Sequence, residues 1–574
     1  MNAMTVARWD RRAALLGASA PVAVGVVAFV LARSVLLPGQ GFWDTGEFQT
    51  VPPLLGTAHP TGYPSYVLLG WLASLALAPL GEAALRMNLL SAVLFACASG
   101  LTVVLVRQIT GRTSVAVGGG LLLALTPIPW RMGTFADPHT LHLALLAALL
   151  VLLVGWEQRE RAGGGRADRW LVASAALYGV MLGNHTLTVL LAPGIGLYVL
   201  AVAPWILARP RLVAGCLAIL LGTTIALYLE LPIRAALGAP LVYGRPDTAA
   251  GLLYVVFAEQ FRGDVVNPLG DLARKAADVA VLAGQQLGPL AALVPAAFVL
   301  VAVRRPRFAL LTATWVVITA WFAASYTNAA IDRYYLGPVL IAATWLGVAA
   351  GLVVDAVVGA AFGAEPLEAE ASDATPVGVQ GGEPSLQGGG PDGAVAPAPR
   401  QRAGGRAALA GAILGGALAA GLVLPAALAA PATAARIDLG RETRAADWSR
   451  WALATVDEDA VVVSWWSYST PLWYRTLILG ERPDVRIVDD RDRLDESLGS
   501  VDDVIRANLG TRPVYVVRTP AELPALEASW LLEKLIDPVG LQPLYRVIGP
   551  RVGGAGSRAG AREMVRARPV TMPQ

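Results

Sequence analysis

Long apolar runs separated by short polar segments dominate the chain up to about residue 430. A helix needs about 20 mostly apolar residues to cross a bilayer. The pattern predicts eleven spans, near residues 13–36, 87–106, 114–130, 138–156, 170–183, 186–208, 212–231, 277–303, 308–324, 333–359 and 407–430. The run 170–183 is short for a span, so its bounds are the least defined. The predicted architecture is an all-α polytopic membrane bundle.

After the last apolar run, short strand-like and helical segments alternate. They lie at 460–464, around Trp473 and Tyr474, and at 485–489, 501–509, 514–518, 526–536 and 544–548. Repeated alternation of strands and helices is typical of an α/β fold. We therefore expect a small C-terminal α/β domain over residues 431–552.

Two further segments show no apolar periodicity. Residues 360–406 are rich in Gly, Ala, Pro and acidic side chains. Such a composition cannot bury a core, so we interpret this segment as a disordered cytoplasmic linker. The tail 553–574 is predicted to be disordered as well. The predicted domains are thus a transmembrane module over 1–359, the linker, a last transmembrane helix over 407–430, the α/β domain and the tail.

The composition agrees with a membrane protein. Hydrophobic residues make up 55% of the chain and charged residues 15%, against about 25% charged residues in a soluble domain. The net charge of +3 gives no electrostatic case for binding nucleic acid. Cys97 and Cys216 lie inside apolar runs, which leaves no disulfide framework and no thiol metal site. The first run, 13–36, follows Arg8, Arg11 and Arg12 and is longer than the roughly 7–15 residues of a signal-peptide core, which predicts an uncleaved membrane anchor.

Arginines in the short loops set the predicted orientation. They form four clusters, Arg107 and Arg112; Arg159, Arg161, Arg166 and Arg169; Arg209 and Arg211; and Arg304, Arg305 and Arg307. If the apolar segment 63–80 crossed the membrane, all four clusters would lie outside, against the positive-inside rule. We interpret 63–80 as an outer interfacial or re-entrant helix, which places the N-terminus in the cytoplasm and the α/β domain outside a plasma (cytoplasmic) membrane. Arg86, Arg131 and Arg234 are exceptions, because they then lie outside.

The polar segment 42–66 carries the first candidate chemistry. Asp44 and Glu47 are three residues apart, so they share a face if the segment is helical. A desolvated carboxylate is costly, which favours a catalytic role over helix capping at the interface. The sequence from His59 to Tyr63 predicts a rigid turn into the interfacial helix, and both residues are candidates for the same site.

Further polar residues gather at the predicted outer face, at or near which all four histidines lie. Ionisable groups at one rim of an apolar bundle usually mark a polar cavity, although loops are polar without any function as well. Asn184 and His185 occupy one outer turn. Arg131, Arg234 and Arg333 fit either a phosphate clamp or contact with lipid headgroups.

Asp137, His139 and His142 resemble a set of metal ligands. A spacing of three residues on a helix is a weak signal, and nothing supplies a convincing further ligand. Hydrogen-bonded structural histidines are the favoured interpretation. In the C-terminal domain, SWWSYSTPLWYR from Ser464 is unusually aromatic. It fits sugar stacking or a packed core, and we favour packing.

An acidic motif just after the first span, then an outer interfacial helix and a many-span bundle, resembles the GT-C superfamily of lipid-phosphate-sugar glycosyltransferases. More specific are FWDTGEFQTVPPLLGTAHPTGYPSYVLLG from Phe42, RMNLLSAVLFA from Arg86, YLELPIRAALGAPLVYGRPDT from Tyr228, and SWWSYSTPLWYR with ERPDV from Glu481. These resemble a former domain-of-unknown-function family that includes a eukaryotic transmembrane protein O-mannosyltransferase. The resemblance covers the spans to about residue 350 and part of the outer domain. HPTGYP stands where HPPGYP is expected, which leaves the turn intact.

The resemblance implies transfer of a sugar, mannose first, from a polyprenyl-phosphate carrier to a protein or glycan acceptor outside the cytoplasm, with inversion. The acceptor hydroxyl needs a base, and Asp44 is the first choice by its place in the motif. Glu47 would orient the acceptor or hold a divalent cation, Mg²⁺ or Mn²⁺. Rim histidines and arginines would neutralise the leaving phosphate. Whether a metal is needed stays open, because members of the superfamily differ.

Two other classes of function compete with this one. A transporter or lipid flippase predicts polar residues and broken helices at mid-span depth. Here the polar residues gather at one face and the middle of the spans is mostly Ala, Leu, Val and Gly, which favours the enzyme. A non-catalytic sensor with an outer ligand-binding domain predicts that Asp44 is dispensable.

Overall fold

The computed structural model describes residues 3–163, 167–327, 330–362 and 400–551. Arg166, most of the predicted linker 360–406 and the predicted tail 553–574 lie outside the described residues. What is described forms a helical bundle that carries a small C-terminal sheet domain.

Proline and glycine bound many helices of the first half of the chain. These helices are α1 Ala3–Ser34, α2 Trp43–Leu54, α3 Pro64–Ala76, α4 Ala83–Thr110, α5 Thr113–Leu125, α6 Pro127–Met132, α7 His139–Arg161, α8 Ala167–Asn184 and α9 Ala192–Val202. Proline at the first position starts α3 and α6, because its φ is preset for a helix. Gly111 ends α4 with a φ of 68°, a conformation that glycine adopts without strain.

The second half of the bundle follows the same rules. Its helices are α10 Pro210–Tyr228, α11 Glu230–Ala236, α12 Ala249–Val256, α13 Leu272–Leu287, α14 Val294–Arg304, α15 Pro306–Ala323, α16 Leu336–Phe362 and α17 Arg400–Ile437. Short 3-10 helices join several of them, including Thr186–Leu191 before α9 and Ile331–Tyr335 before α16.

Within the described residues, eight helical segments are long and apolar enough to cross a membrane. They are Gly17–Ser34, Ala83–Thr110, His139–Arg161, Pro210–Ala236, Leu272–Arg304, Pro306–Ala323, Ile331–Phe362 and Gly405–Ile437. Each overlaps a predicted span, and the chain is a multi-pass membrane protein. The other three predicted spans, 114–130, 170–183 and 186–208, fall on shorter or less apolar helices.

The segment 63–80, predicted to be interfacial, forms the short helix α3. Its 13 residues rise only about 20 Å at 1.5 Å per residue. A hydrocarbon core is about 30 Å thick. The length of α3 therefore agrees with a helix that does not cross the membrane.

The C-terminal domain is the small α/β unit that the alternating pattern predicts. Its elements are α18 Arg444–Thr455, β1 Val461–Val463, α19 Trp466–Trp473, β2 Arg486–Val488, α20 Asp490–Asp495, α21 Val501–Asn508, β3 Val514–Val516, α22 Leu523–Ser529, β4 Trp530–Leu535 and β5 Leu544–Pro550. The five-stranded sheet has the order β2-β1-β3-β5-β4. β1 runs parallel to β2 and β3, while β5 is antiparallel to β3 and β4.

Valines fill the central strands of this sheet and are buried on both faces. Val462 and Tyr515 pack with α18 on one face, and Val463 and Val516 pack with α21 on the other. Fully buried parallel strands of this kind need helices on both sides. The predicted segment 526–536 is divided between the end of α22 and β4.

The C-terminal domain packs directly on the bundle around α2. The Gln40 side-chain amide donates to the Ala445 carbonyl at 3.0 Å, and the Ala84 backbone N–H donates to the Tyr474 hydroxyl at 3.0 Å. The ring of Phe42 also lies edge-on to the ring of Tyr468, 5.3 Å between centroids. The start of α2 is therefore held between the two parts of the protein.

Candidate active site

A buried amide network fixes the segment that leads into α2. The Gly41 N–H donates to Gln49 Oε1 at 2.8 Å, and the Gln49 amide donates to Asn88 Oδ1 at 2.9 Å. Asn88 in turn donates to the Leu37 carbonyl at 2.8 Å. Trp43 then adopts a φ of 58°, a left-handed conformation that costs a non-glycine residue roughly 1–2 kcal/mol. The turn at Trp43 starts α2 with Asp44 facing a cavity.

Asp44 is held by two donors from distant parts of the chain. Arg333 Nη1 donates to its Oδ2 at 3.0 Å, and the Trp466 indole N–H donates to its Oδ1 at 3.1 Å. Burial by itself raises the pKa of a carboxyl, but the nearby His59 and Arg333 and these two hydrogen bonds outweigh it and lower the pKa of Asp44 to about 2. Asp44 is therefore ionised at neutral pH.

Glu47, one helical turn after Asp44, is paired with His59. Its carboxylate accepts from the His59 backbone N–H at 2.7 Å and contacts His59 Nδ1. The Tyr63 hydroxyl lies 3.2 Å from His59 Nε2. Burial lowers the pKa of an imidazole, yet the carboxylates of Glu47 and Asp44 reverse this and raise the pKa of His59 above its usual value. The turn from His59 to Tyr63 thus contributes two side chains to the polar group around Asp44 and Glu47.

The raised pKa of His59 makes folding stability depend on pH. Protonated His59 is stabilised in the fold, so its contribution is complete below the unfolded pKa of about 6.5 and is lost as the pH rises through the folded pKa. We expect the melting temperature of the purified protein to fall as the pH rises above about 6.5, and to fall less in His59→Gln, which has no imidazole to titrate. Equal slopes for the two proteins would contradict this assignment.

Asp137 and His139 form a second polar group beside Arg333. Asp137 Oδ1 lies 2.8 Å from His139 Nδ1 and accepts from the His139 backbone N–H at 2.7 Å. Arg333 Nη1 approaches Asp137 Oδ2 at 3.4 Å. Burial raises the pKa of a carboxyl, but His139 and Arg333 outweigh it and lower the pKa of Asp137. One guanidinium therefore bridges the half-buried carboxylate of Asp44 and the buried carboxylate of Asp137.

The histidines continue this group toward the membrane-spanning helices. The ring of His185 lies edge-on to the rings of His139 and Tyr63, each at 5.3 Å between centroids. Burial and the neighbouring histidines hold the pKa of His185 well below its usual range, so it is neutral. Asn184 donates from its side-chain amide to the Pro138 carbonyl at 3.1 Å. His139 Nε2 is buried and makes no hydrogen bond among the described residues.

Three adjoining spaces meet at these residues. The central cavity, about 430 Å³, is lined by Phe42, Trp43, Asp44, Thr45, His59, Arg131, Met132, Phe135, Asp137, Tyr243, Gln260, Phe261, Ala330, Arg333 and Trp466. The histidine pocket is lined by His139, His142, His185, Leu187, Trp315, Thr319, Phe322, Arg333, Tyr334 and further apolar residues. The outer cleft, about 460 Å³, is lined by Tyr243, Gly244, Ala250, Gly251, Tyr254, Glu259, Gln260, Arg491, Leu494 and Asp495.

Shared side chains connect these spaces in a row. Arg333 lines both the histidine pocket and the central cavity. Tyr243 and Gln260 line both the central cavity and the outer cleft. The site therefore has an apolar side among the spanning helices and a polar side under the C-terminal domain.

The structure brings most of the sequence-predicted residues to this site. Those that it places together are Asp44, Glu47, His59, Tyr63, Arg131, Asp137, His139, Asn184, His185 and Arg333. Arg131 reaches the central cavity while its Nη1 donates to Asp332 Oδ2 at 2.6 Å. Arg234 is not among the lining residues; it lies on α11, with its Nε 3.5 Å from Glu230 Oε1. Of the three arginines predicted to bind phosphate, Arg131 and Arg333 line the central cavity and Arg234 does not.

Sequence reasoning missed the contributions of Trp466, Tyr243 and Gln260. Tyr243 and Gln260 come from the long segment between α11 and α13. Tyr243 stands in the motif quoted from Tyr228, but nothing in that motif singles it out as a site residue, and Gln260 lies beyond the motif. Trp466 belongs to the aromatic segment from Ser464, for which the sequence favours packing. That segment does pack, since Tyr468 lies 4.5 Å from Trp448, but Trp466 turns to the central cavity.

Asp44, Glu47 and His59 are also the one described group whose ligand atoms gather closely enough for a metal ion, all within 4.8 Å of one another. Two carboxylates and an imidazole suit Mn²⁺ or Zn²⁺. The arrangement does not fit a divalent cation as it stands, because Arg333 occupies one oxygen of Asp44 and Glu47 is paired with His59. A cation would have to displace Arg333 from Asp44 and His59 from Glu47 before it could bind here.

Comparison with known proteins agrees with the resemblance seen in the sequence. Residues 44–205 match the family model of the protein O-mannosyl-transferase TMEM260 N-terminal domain. The mouse protein O-mannosyl-transferase TMEM260 is 30% identical over 262 residues, which is 44% of this chain and 35% of that protein. The match thus spans about a third of the length of the curated relative, and the predicted similarity to this family is confirmed.

Solved structures show the same fold. ArnT from Cupriavidus metallidurans, bound to undecaprenyl phosphate, superposes with a TM-score of 0.55 at 15% identity, over 94% of this chain and 99% of that chain. The apo form of ArnT gives a TM-score of 0.57 at 15% identity, over 92% and 97%. The predicted GT-C-like bundle with a C-terminal α/β domain is confirmed.

Proposed function

We propose that the chain is a membrane glycosyltransferase that moves a sugar from a polyprenyl-phosphate carrier to an acceptor hydroxyl on the extracytoplasmic side. The observation that carries this proposal is an ionised carboxylate, Asp44, that lies in a cavity beside the guanidinium of Arg333. The family match supports the reaction class and makes mannose the first sugar to test. The undecaprenyl phosphate bound to ArnT supports a lipid-phosphate carrier.

The donor would enter through the histidine pocket. Apolar side chains such as Leu187 and Phe322 form its walls and suit the first isoprenoid units of a lipid. At its inner end Nε of Arg333 and Nε2 of His139 are buried without a hydrogen-bond partner among the described residues. Unsatisfied buried polar atoms of this kind call for a ligand or water. A phosphate would accept from Arg333 Nε, and from His139 Nε2 when the imidazole carries both protons.

The acceptor would arrive from the outer cleft, on the opposite side of the central cavity. Tyr243 and Gln260 form the shared wall between the two spaces. The cleft offers aromatic, amide and carboxylate groups, which bind hydroxyl-bearing protein or glycan segments. Donor and acceptor thus approach Asp44 from different sides, as an in-line displacement requires.

The chemistry follows from these positions. The acceptor oxygen forms a bond to the anomeric carbon while its proton passes to a carboxylate oxygen of Asp44. The bond from the anomeric carbon to the phosphate oxygen breaks, and the lipid phosphate leaves with the electron pair. Attack opposite to the leaving group inverts the anomeric centre. Arg333 is placed to move from Asp44 to the departing phosphate. When the guanidinium moves away, the pKa of Asp44 rises, and the carboxylate becomes a stronger base.

The test of the proposed function uses the purified protein in proteoliposomes with radiolabelled polyprenyl-phosphate mannose. Transfer of label to a serine- and threonine-containing peptide or to an added glycan supports a glycosyltransferase. Movement of the labelled lipid between leaflets without transfer to any acceptor would instead support a transporter or flippase. The orientation is tested with single cysteines in a variant that lacks Cys97 and Cys216. A cysteine at the exposed Asp247 should label from outside, and a cysteine at Gly164 should not.

Narrowing the histidine pocket provides a selective test of donor binding. Thr319 lines this pocket from α15 and is half-buried. We expect Thr319→Trp to raise the KM for the polyprenyl-phosphate sugar about 10-fold, because the larger ring occupies space that the lipid needs. The KM for the acceptor should stay unchanged. Val317→Trp, at an exposed position on the same helix and outside the pocket lining, is the matched control. An equal rise of both KM values would contradict donor binding in this pocket.

A further inference from the structure

Trp466 is the point at which the C-terminal domain reaches the reacting carboxylate. It is the first residue of α19, which follows β1, the strand that runs parallel to both of its neighbours in the sheet. In open α/β sheets, functional residues lie beyond the carboxyl ends of the strands. The carboxyl end of β1 therefore directs Trp466 out of the domain and into the central cavity.

The ring of Trp466 is fixed on several sides. It lies edge-on to His59 at 5.8 Å and to Tyr243 at 6.2 Å, both of which belong to the bundle. Within its own domain it lies edge-on to Trp473 at 5.8 Å. With its ring held this way, the indole N–H has one direction available, and it points at Asp44 Oδ1 at 3.1 Å.

The close approach of α2 and α19 keeps this contact in place. A Cβ added to Gly46 would lie 2.7 Å from Thr470 Oγ1 and 2.5 Å from the Gly41 carbonyl oxygen. At position 46, therefore, only glycine leaves room for α19 to approach α2 this closely. The glycine of the acidic motif is thus a packing requirement of the docked C-terminal domain.

We propose that Trp466 is a positioning residue for Asp44, and that the C-terminal domain thereby completes the active site. This inference rests on the proposed function. Arg333 occupies Oδ2 and Trp466 occupies Oδ1, so the carboxylate is held in one plane with the remaining lone pairs free for the acceptor hydroxyl. An indole N–H donates but neither accepts nor loses a proton at neutral pH. Trp466 therefore orients the base without competing for the transferred proton.

The test compares Trp466→Phe with Trp465→Phe in the full-length protein. Phenylalanine keeps an aromatic ring and removes the N–H. Trp465 is the matched control, because its indole N–H makes no hydrogen bond among the described residues and its ring packs on Trp43 at 5.2 Å. For Trp466→Phe we expect kcat to fall about 10- to 100-fold, the effect of losing a hydrogen bond to a charged group. The donor KM should be unchanged, and the acidic limb of the rate profile should move to higher pH.

The outcomes separate this inference from the proposed function. No transfer by the wild-type protein defeats the proposed function. Transfer by the wild type together with a Trp466→Phe rate within twofold of it, and an unmoved acidic limb, overturns only the role of Trp466. If Trp466→Phe does not accumulate in the membrane, the transfer rates of Trp466→His and Trp466→Leu are compared instead, since only histidine keeps a ring N–H. Equal loss of rate in these two variants overturns the proposal, and a higher rate in Trp466→His supports it.

Discussion

Asp44→Asn is expected to lower kcat for sugar transfer by about 10²- to 10⁴-fold, the range that a positioned general base contributes. The amide has nearly the shape of the carboxylate but accepts no proton from the acceptor hydroxyl. The variant also keeps an oxygen for Arg333 or for Trp466, so the cavity should retain its form. Initial rates with polyprenyl-phosphate mannose measure the loss, and binding of the unreacted donor lipid should remain.

The matched control is Asp355→Asn. Asp355 lies on α16 and pairs with Arg112 at 2.5 Å, with 44% of its side chain exposed. It is a paired carboxylate like Asp44 but stands on a different part of the bundle. We expect its transfer rate to stay within twofold of the wild type. Retained transfer in Asp44→Asn, in protein that melts like the wild type, would exclude Asp44 as the base and would favour a non-catalytic role.

Arg333→Gln is expected to damage both stability and transfer. Arg333 is the shared partner of the half-buried Asp44, at 3.0 Å, and the buried Asp137, at 3.4 Å. Removing one partner of a buried ion pair costs roughly 3–5 kcal/mol, because the remaining charges stay desolvated. We expect a clearly lower melting temperature and a loss of transfer of at least about 10²-fold, since the leaving phosphate also loses its cation.

The comparison variant is Arg112→Gln, which breaks the more exposed pair with Asp355. Surface pairs contribute about 0–1 kcal/mol, so its melting temperature should barely change.

A double variant tests whether the shared ion pair is the source of the stability that Arg333→Gln loses. Adding Asp137→Asn to Arg333→Gln removes one of the two stranded charges and should recover part of the stability but not the transfer. If the double variant is no more stable than Arg333→Gln, the shared ion pair is not the source of the loss.

The main architecture is predictable from the sequence because the signal of a membrane span is local. An apolar run of sufficient length leaves few alternatives to a spanning helix, and eight segments of the described chain meet that standard. The span 114–130 is less well defined, because α5 stops at Leu125 and proline starts a separate helix, α6. Hydrophobicity averaged over a window does not reveal such a break.

The site is predictable only where its residues are close in the chain or lie at the same rim. Asp44, Glu47 and His59 stand within one segment, and the structure pairs Glu47 with His59. Placing the histidines and Arg333 at the same rim follows from the topology, not from any local pattern. The exact partners do not follow, because ion pairs such as that of Arg333 with Asp44 join residues 289 positions apart.

Arg234 and Trp466 show two opposite errors in predicting site residues from the sequence: one residue was included and does not line the cavity, and the other lines it and was missed. Arg234 carries the positive charge that a phosphate site needs, but its guanidinium forms an ion pair with Glu230 on its own helix. Trp466 is one aromatic residue among many in its segment, and a hydrogen bond to a carboxylate is a tertiary contact that composition cannot predict. Local chemistry identifies Asp44 as the candidate base, whereas the side chains that contact it depend on how the domains dock.

The contact between Trp466 and Asp44 also has a consequence for how the protein is made. The two residues are 422 positions apart, and at roughly 5–20 residues per second the ribosome needs on the order of 20–80 s to produce that stretch. During this interval the nascent chain carries the acidic segment without the indole that orients it. If Trp466 orients Asp44 as proposed, the site therefore reaches its full rate only after the C-terminal domain has been synthesised and has docked on the bundle.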